Sequence, residues 1–132
     1  MIFKFNFLQI GLLATLLLNI LGSLSSRIFA FDYSYLTPLS AIIYCFIGVI
    51  TTKEFNLKKG VYYTTLMGLF DSTIGWMIAV LLKANTGTLN IQPYSIELVL
   101  VVVISITVLA SLLGLISGGV ALLLKKKTIN NI

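Results

Sequence analysis

Histidine is absent from this sequence of 132 residues, and cysteine occurs only once, at Cys45. These absences exclude a metal or catalytic site built on histidine and a disulfide bond within the chain. The four acidic residues, Asp32, Glu54, Asp71 and Glu97, are spread along the sequence. We predict no metal site, no cofactor and no enzymatic activity, because no nucleophile stands beside a base and no acids are paired.

Charged residues make up only 10% of the chain, whereas hydrophobic residues make up 58%, and the mean hydropathy is +1.06. This balance lies far outside the usual range for soluble domains and predicts an integral protein of the lipid bilayer. The net charge of +5 does not indicate a nucleic-acid partner. Basic residues beside apolar spans are explained by membrane topology.

Four stretches of the sequence are apolar enough to predict membrane-spanning helices, which need about 20 mostly apolar residues. They cover about residues 5–24, 34–52, 60–82 and 96–124, and their short connections leave no room for a soluble domain. Thr37 followed by Pro38 is typical of a helix start, so the second helix is either short or extended backwards through Tyr33. We therefore predict an all-α polytopic membrane protein, a four-transmembrane-helix bundle.

Lysine residues concentrate on one side of the predicted spans. With the N-terminus in the cytoplasm, seven lysines lie inside and only Arg27 and Lys83 lie outside. The seven are Lys4, Lys53, Lys58, Lys59, Lys125, Lys126 and Lys127. Because cytoplasmic flanks carry an excess of lysine and arginine, this bias predicts cytoplasmic N- and C-termini in a bacterial inner or plasma membrane.

The first apolar span has an alternative interpretation as a cleavable signal peptide. Lys4 supplies a basic start and Ala30 a small residue at a possible cleavage point. The apolar run is long for a signal peptide, however, and Ile28 occupies a position that normally holds a small residue. We favour a retained helix, although removing this span would leave the orientation of the other three unchanged.

The third span contains an aspartate, Asp71, near its middle, in the segment MGLFDSTIGWM of residues 67–77. A charged side chain at this depth costs about 2.5–3.5 kcal/mol on insertion scales, so such residues usually mark a function or a specific contact. At about 100° of rotation per residue, Gly68 and Gly75 share the helix face of Asp71. Small residues let another helix approach closely, so we expect Asp71 to face a neighbouring helix.

Matching rows of small and polar residues occur on the first and fourth spans. On the first span they are Gly11, Thr15, Asn19 and Gly22, and on the fourth they are Thr107, Ala110, Gly114, Ser117, Gly118 and Ala121. Gly114 and Gly118 form a G-x-x-x-G spacing. The three rows together predict a tight bundle or an oligomer, in which Gly68, Gly75, Gly114 and Gly118 are the main helix-packing residues.

Depth along the helices predicts which polar residues meet Asp71. At 1.5 Å per residue, Asp71 lies about 16 Å and Asn19 about 21 Å from the same membrane side, so the two can meet. No lysine or arginine lies within a predicted span, so we expect an uncharged Asp71 that donates to the Asn19 oxygen or to a backbone carbonyl. Thr15, Ser72 and Ser111 lie at related depths and complete the candidate polar site.

Aromatic residues near the span ends fit the belts that tyrosine and tryptophan form at membrane interfaces. They include Phe3, Phe5, Phe7, Phe29, Tyr33, Tyr35 and Tyr94, and Trp76 approaches an interface from the third span. Tyr44 and Cys45 lie within the second span, where we interpret both as packing residues; for Tyr44 the alternative is that its hydroxyl reaches polar neighbours.

Two interpretations of Asp71 remain open. In the one we favour, Asp71 is a protonated contact between helices, and the protein is a non-catalytic accessory or assembly component. In the other, Asp71 alternates between protonated and charged states as a proton, cation or cationic-substrate site of an oligomeric transporter or channel. The partners expected are the lipid bilayer and either further copies of the chain or a larger membrane complex.

The chain resembles two groups of membrane proteins. The segment GLFDSTIGW, residues 68–76, is similar to the glycine-rich third helix of small uncharacterised four-span bacterial membrane proteins, a resemblance that implies a similar build and no activity. As a compact four-span chain with one membrane carboxylate, it also resembles the small multidrug transporters. Their essential acid is a glutamate in the first span, where this chain has Gln9 and Asn19.

Overall fold

The structure, a computed structural model, describes residues 6–86 and 95–130, with side chains up to residue 127. Four helices in these ranges are long and apolar enough to cross a membrane. They are α1 (Phe7–Phe29), α2 (Thr37–Glu54), α3 (Leu57–Leu81) and α4 (Ile96–Asn130). No strand occurs within the described ranges. The protein is therefore an all-α four-helix bundle and a multi-pass membrane protein.

The helix ends differ from the ends of the predicted spans. α1 continues to Phe29 and is followed by Ala30 in the left-handed conformation, with φ of 55°, whereas the predicted span ended at residue 24. The backward extension of α2 is present as a 3₁₀ turn, Tyr33–Leu36. α3 begins at Leu57 and not at residue 60. Hydropathy identifies only the part of a helix that lies in hydrocarbon, so a prediction based on it omits the more polar turns at the helix ends.

Hydrogen bonds from backbone N–H groups to side chains define two of the helix starts. The backbone N–H of Asn6, just before α1, donates to Gln9 Oε1 at 3.0 Å, which is half of a capping box. Asp32 Oδ1 accepts a hydrogen bond from the Ser34 N–H at 2.8 Å and so begins the 3₁₀ turn. These local contacts satisfy N–H groups that have no partner within the helix.

One end of the bundle holds the start of α1, the end of α2 and the start of α3. There the Phe7 and Phe55 rings lie 6.3 Å apart, and Asn6 Nδ2 donates to Tyr63 Oη at 3.1 Å. Lys59 Nζ lies 3.7 Å from the centre of the Phe55 ring. We call this end, which also carries Lys53, Lys58 and Lys125–Lys127, the lysine end.

The opposite end of the bundle, which we call the Asp32 end, joins the end of α1 to the segment that follows α3. The buried Ser26 hydroxyl donates to the Phe31 carbonyl at 2.7 Å and accepts from the Asn85 N–H at 3.1 Å. The Tyr33 N–H donates to the Asn85 carbonyl at 2.7 Å. These bonds attach the 3₁₀ turn before α2 to both α1 and α3, and thereby place Tyr33 beside the interior of the bundle.

The helices pack most extensively in the group formed by α2, α3 and α4, while α1 lies against α2 and α3. The core between them contains Tyr44, Ile47, Tyr63, Met67 and Ala110. Large apolar side chains outside this core are exposed along all four helices, as expected for surfaces that face lipid.

Candidate functional site

A line of buried small residues joins α4 to α2 and α3 in the half of the bundle nearer the lysine end. We call it the small-residue seam, and its members are Gly48, Thr64, Gly68, Ala110, Gly114, Ser117 and Gly118. A methyl group on Gly114 would collide with the Thr64 side chain and lie 3.2 Å from Val61 Cα. One on Gly68 would meet Ala110 and lie 3.2 Å from the Ile106 carbonyl oxygen. The helices therefore touch almost backbone to backbone here.

Gly118 belongs to the same contact, whereas Gly75 has a different environment. A methyl group on Gly118 would lie 2.6 Å from Leu57 Cδ1 and 2.7 Å from Thr52 Oγ1. One on Gly75 would lie 2.6 Å from Asn19 Nδ2 and 2.7 Å from Asp71 Oδ1. Gly75 thus leaves space for a polar contact between α1 and α3, and not for a close helix crossing.

Asp71 is the centre of a hydrogen-bond network that links three helices. Its Oδ1 accepts from Asn19 Nδ2 of α1 at 2.7 Å, and its Oδ2 accepts from the Tyr44 hydroxyl of α2. Asn19 Nδ2 also donates to the Thr15 carbonyl at 2.9 Å, and Asn19 Oδ1 accepts from the Tyr33 hydroxyl. Asn19 and Tyr44 are almost fully buried, while Asp71 is half-buried.

The direction of the Asn19–Asp71 hydrogen bond is opposite to our expectation. We expected Asp71 to donate to the Asn19 oxygen, but that oxygen accepts from Tyr33, so the amide group of Asn19 faces Asp71 instead. Both carboxyl oxygens of Asp71 therefore accept hydrogen bonds.

The other polar residues predicted for the site do not reach the carboxyl group through their side chains. The Thr15 hydroxyl donates to a carbonyl of its own helix at 2.9 Å, and Thr15 joins the network only through its backbone. The Ser72 hydroxyl donates to the Leu69 carbonyl at 3.1 Å. Ser111 pairs with Thr65 at 2.8 Å, on the contact between α4 and α3. Of the predicted polar residues, the structure brings Asn19 alone into side-chain contact with Asp71.

The backbone at Asp71 has an unusual conformation. Residues Asp71–Gly75 form a π-helical turn within α3, in which the Trp76 N–H reaches back to the Asp71 carbonyl. The Thr73 hydroxyl donates to the Leu69 carbonyl at 2.6 Å and so helps to satisfy an acceptor next to the wider turn. Turns of this kind are rare and frequently occur at functional sites.

A partly open cavity of about 190 Å³ lies between α2, α3 and α4 and reaches Asp71 from the Asp32 end. Its lining residues are Asn19, Asp32, Tyr33, Ser34, Leu36, Thr37, Ser40, Ala41, Tyr44, Asp71, Trp76, Thr86, Val102, Ile106 and Leu109. The lining includes two carboxyl groups and three aromatic rings with polar tips. Among the described residues that line it, none is a lysine or an arginine.

Two tyrosines of the cavity, Tyr33 and Tyr44, make contacts that differ from those expected from the sequence. Tyr33 was predicted to belong to an interfacial aromatic belt, but its hydroxyl turns inwards to Asn19. Tyr44 was interpreted as a packing residue, but its hydroxyl donates to Asp71. The position of Tyr44 within a span is the feature of the sequence that indicates such a contact, because a buried tyrosine hydroxyl normally has a hydrogen-bond partner.

Comparisons with models of protein families, with curated proteins and with solved structures gave no match for this chain.

Proposed function

We propose that the protein transports a small solute or ion across a membrane, with Asp71 as its intramembrane site. The observation that supports this proposal is that Asp71 lies on a cavity and is not enclosed by helix packing on every side. A carboxyl group that served only to hold helices together would need no such space. Acidic residues that face an intramembrane cavity are typical of ion and substrate pathways.

In this function Asp71 alternates between a protonated form and a carboxylate. The Asn19 amide and the Tyr44 hydroxyl stabilise the carboxylate, since both donate to it. When the cavity is empty, a proton on Asp71 removes the cost of an uncompensated charge in the membrane. A positively charged solute or ion supplies the compensation when the cavity is occupied.

The proposal includes the orientation and assembly expected from the sequence. The lysine end faces the cytoplasm of a bacterial cell, in its inner or plasma membrane, so the Asp32 end and the mouth of the cavity face outwards. A homo-oligomer or a larger membrane complex completes the pathway, because four helices alone enclose little space. The protein is not an enzyme in this proposal.

A second candidate function is that of an accessory or assembly component of the membrane. The observation that favours it is that the Asp71 network ties α1, α2 and α3 together. Hydrogen bonds between membrane helices contribute about 0.6 kcal/mol on average, and at most about 1.7 kcal/mol, in measured cases. A purely structural Asp71 would tolerate asparagine, which keeps one acceptor oxygen.

Proton-linked flux into proteoliposomes tests the transport proposal. A pH-sensitive dye is trapped in the lumen, and a panel of inorganic cations, small amines and neutral solutes is added outside. We expect at least one solute to produce flux with the wild-type protein and none to do so with Asp71→Asn. Glu54→Gln is the matched control, because it removes the same charge from an exposed position at the end of α2.

The transport proposal fails if every solute gives background flux with the wild-type protein, or if the folded Asp71→Asn variant transports as the wild type does. Size-exclusion chromatography and circular dichroism of each variant establish that it is folded before the flux is measured.

A further inference from the structure

We infer that the cavity at Asp71 is a binding site for a small organic cation of the ammonium class. This inference rests on the proposed function and names its solute class. Its physical basis is the combination of charge, aromatic lining and size in one cavity.

The charge of the cavity favours a cation. Asp71 and Asp32 both line it, and Asn19 and Tyr44 are hydrogen-bonded to the carboxyl group of Asp71. A positive partner stabilises a carboxylate that is removed from water, and no lysine or arginine is among the described lining residues. A bound cation supplies that partner through its positive charge, which lies next to the Asp71 carboxyl group.

The aromatic lining distinguishes an organic ammonium from a metal ion. Tyr33, Tyr44 and Trp76 all contribute to the cavity wall. Aromatic faces attract ammonium groups and are the usual means by which proteins recognise quaternary ammonium ligands. A divalent metal would need several oxygen ligands, and among the described residues no group of three acidic, histidine or cysteine side chains can supply them.

The wall contributed by α4 suits the carbon atoms of such a ligand. Val102, Ile106 and Leu109 present apolar side chains to the cavity. The lining therefore combines carboxyl groups with apolar side chains. An alkylammonium ion has the same division between a charged nitrogen and apolar carbon groups.

The size of the cavity limits the ligand to a small molecule. An engineered cavity of about 150 Å³ accepts benzene. The cavity at Asp71, of about 190 Å³, therefore accepts an ammonium ion of similar or slightly larger size.

The position of Asp32 provides attraction at the entrance. Asp32 is half-buried in the segment before α2 and lies close to Ser34, which is exposed. A carboxylate at the mouth of a cleft with low-dielectric walls raises the local concentration of cations. Asp32 thus guides the cation inwards, and Asp71 holds it.

Trp76 provides a direct test of binding, because it is the sole tryptophan of the chain and lines the cavity. The purified protein in a non-ionic detergent is titrated with choline, and Trp76 fluorescence is recorded. The matched control ligand is 3,3-dimethylbutan-1-ol, which has the shape of choline with carbon in place of the charged nitrogen. We expect saturable binding of choline and about tenfold or more weaker binding of the neutral alcohol.

Two variants test the location of the site. Asp71→Asn should weaken choline binding by about tenfold or more, because it removes the charge, while Glu54→Gln leaves binding unchanged. Ala41→Leu fills the cavity without removing a hydrogen-bonding group and should also abolish binding. Equal binding of choline and its neutral analogue by the wild type, or undiminished choline binding by a folded Ala41→Leu variant, overturns the inference.

The outcomes separate this inference from the proposed function. Choline binding that depends on Asp71, without flux in proteoliposomes, supports the cation site and contradicts transport. Flux of a neutral solute or an inorganic ion that depends on Asp71, without saturable choline binding, supports transport and contradicts the ammonium site.

Discussion

The contacts among α2, α3 and α4 differ between the two halves of the bundle. Toward the lysine end, the small-residue seam brings the helices so close that a methyl group on Gly114 would strike Thr64. Toward the Asp32 end, Val102, Ile106 and Leu109 of α4 line a cavity together with Tyr44 and Trp76. The same three helices are thus closely packed in one half and line a cavity in the other.

The difference shows how residue size controls helix separation in a membrane protein. Lipid is as apolar as the helix surfaces, so helices associate where small residues allow close packing and hydrogen bonds. Side chains of larger volume keep the helices apart. The half of the bundle that contains the small-residue seam therefore holds the helices together. The half at the Asp32 end contains a cavity large enough for a small ligand.

The largest expected effect comes from breaking the seam. Gly114→Leu places a side chain against Thr64 and the Val61 backbone, neither of which can move away without separating α3 from α4. We expect a loss of about 3 kcal/mol or more in the free energy of unfolding, measured by denaturant titration in detergent micelles.

Gly119→Leu is the control for that variant, because a methyl group on Gly119 would meet no atom within 4 Å. It should unfold close to the wild-type denaturant concentration. Equal loss of stability in both variants would show that the seam has no special role.

A smaller effect is expected at the boundary between the halves. Gly75→Ala places a methyl group 2.6 Å from Asn19 Nδ2 and 2.7 Å from Asp71 Oδ1, so it forces these two groups apart. We expect a loss of about 1–2 kcal/mol in unfolding free energy and weaker choline binding. Gly119→Ala should instead be neutral or slightly stabilising, since alanine favours a helix more than glycine does. Wild-type stability and binding in Gly75→Ala would contradict the observed contact.

Removing one hydrogen bond of the network should have a still smaller effect. Tyr44→Phe keeps the ring and deletes the hydroxyl that donates to Asp71. We expect destabilisation of about 0.6–1.7 kcal/mol, between the average and the maximum measured for hydrogen bonds between membrane helices. Tyr62→Phe is the control, because Tyr62 is 59% exposed. If the two phenylalanine variants are equally stable, the Tyr44 hydroxyl has no structural role.

The smallest effect is expected at Ser72. Its hydroxyl donates to the Leu69 carbonyl, which also accepts from Thr73, so the carbonyl keeps a partner in Ser72→Ala. We expect a change below about 0.6 kcal/mol and unaltered choline binding. If Ser72→Ala loses more unfolding free energy than Tyr44→Phe, the expectation that the Ser72 hydroxyl has only a local role is contradicted.

Much of the fold followed from the sequence because its determinants are local. Apolar runs of sufficient length predict the spans, and the helical spacing of small residues places Gly68 and Gly114 on interior faces. The contact between Asp71 and Asn19 could be predicted from the depths of these two residues in the membrane. The π-helical turn could not be predicted, because nothing in the apolar pattern distinguishes it from a regular α-helix.

The rest of the site depends on how the helices are separated. The hydroxyl of Tyr33 reaches Asn19 while its backbone N–H donates to the carbonyl of Asn85, which is distant in the sequence. The donor direction at Asp71 follows from that contact, so it could not be derived from α1 and α3 alone. The cavity arises from the combined volumes of residues on three helices, which no single span reveals.

The central claim is that water and small cations reach Asp71 from the Asp32 end, while the seam remains closed. Cysteine labelling in proteoliposomes tests it most directly. In a Cys45→Ala background, Ala41→Cys places a thiol on the cavity, and Ala121→Cys places one at a buried position of α4 near the lysine end. Both are exposed to 2-aminoethyl methanethiosulfonate, a small cationic thiol reagent.

We predict rapid modification of the Ala41→Cys variant, slowed by choline, and no modification of the Ala121→Cys variant over the same period. Lack of reaction in the first variant, or equal rates in both, would contradict the account.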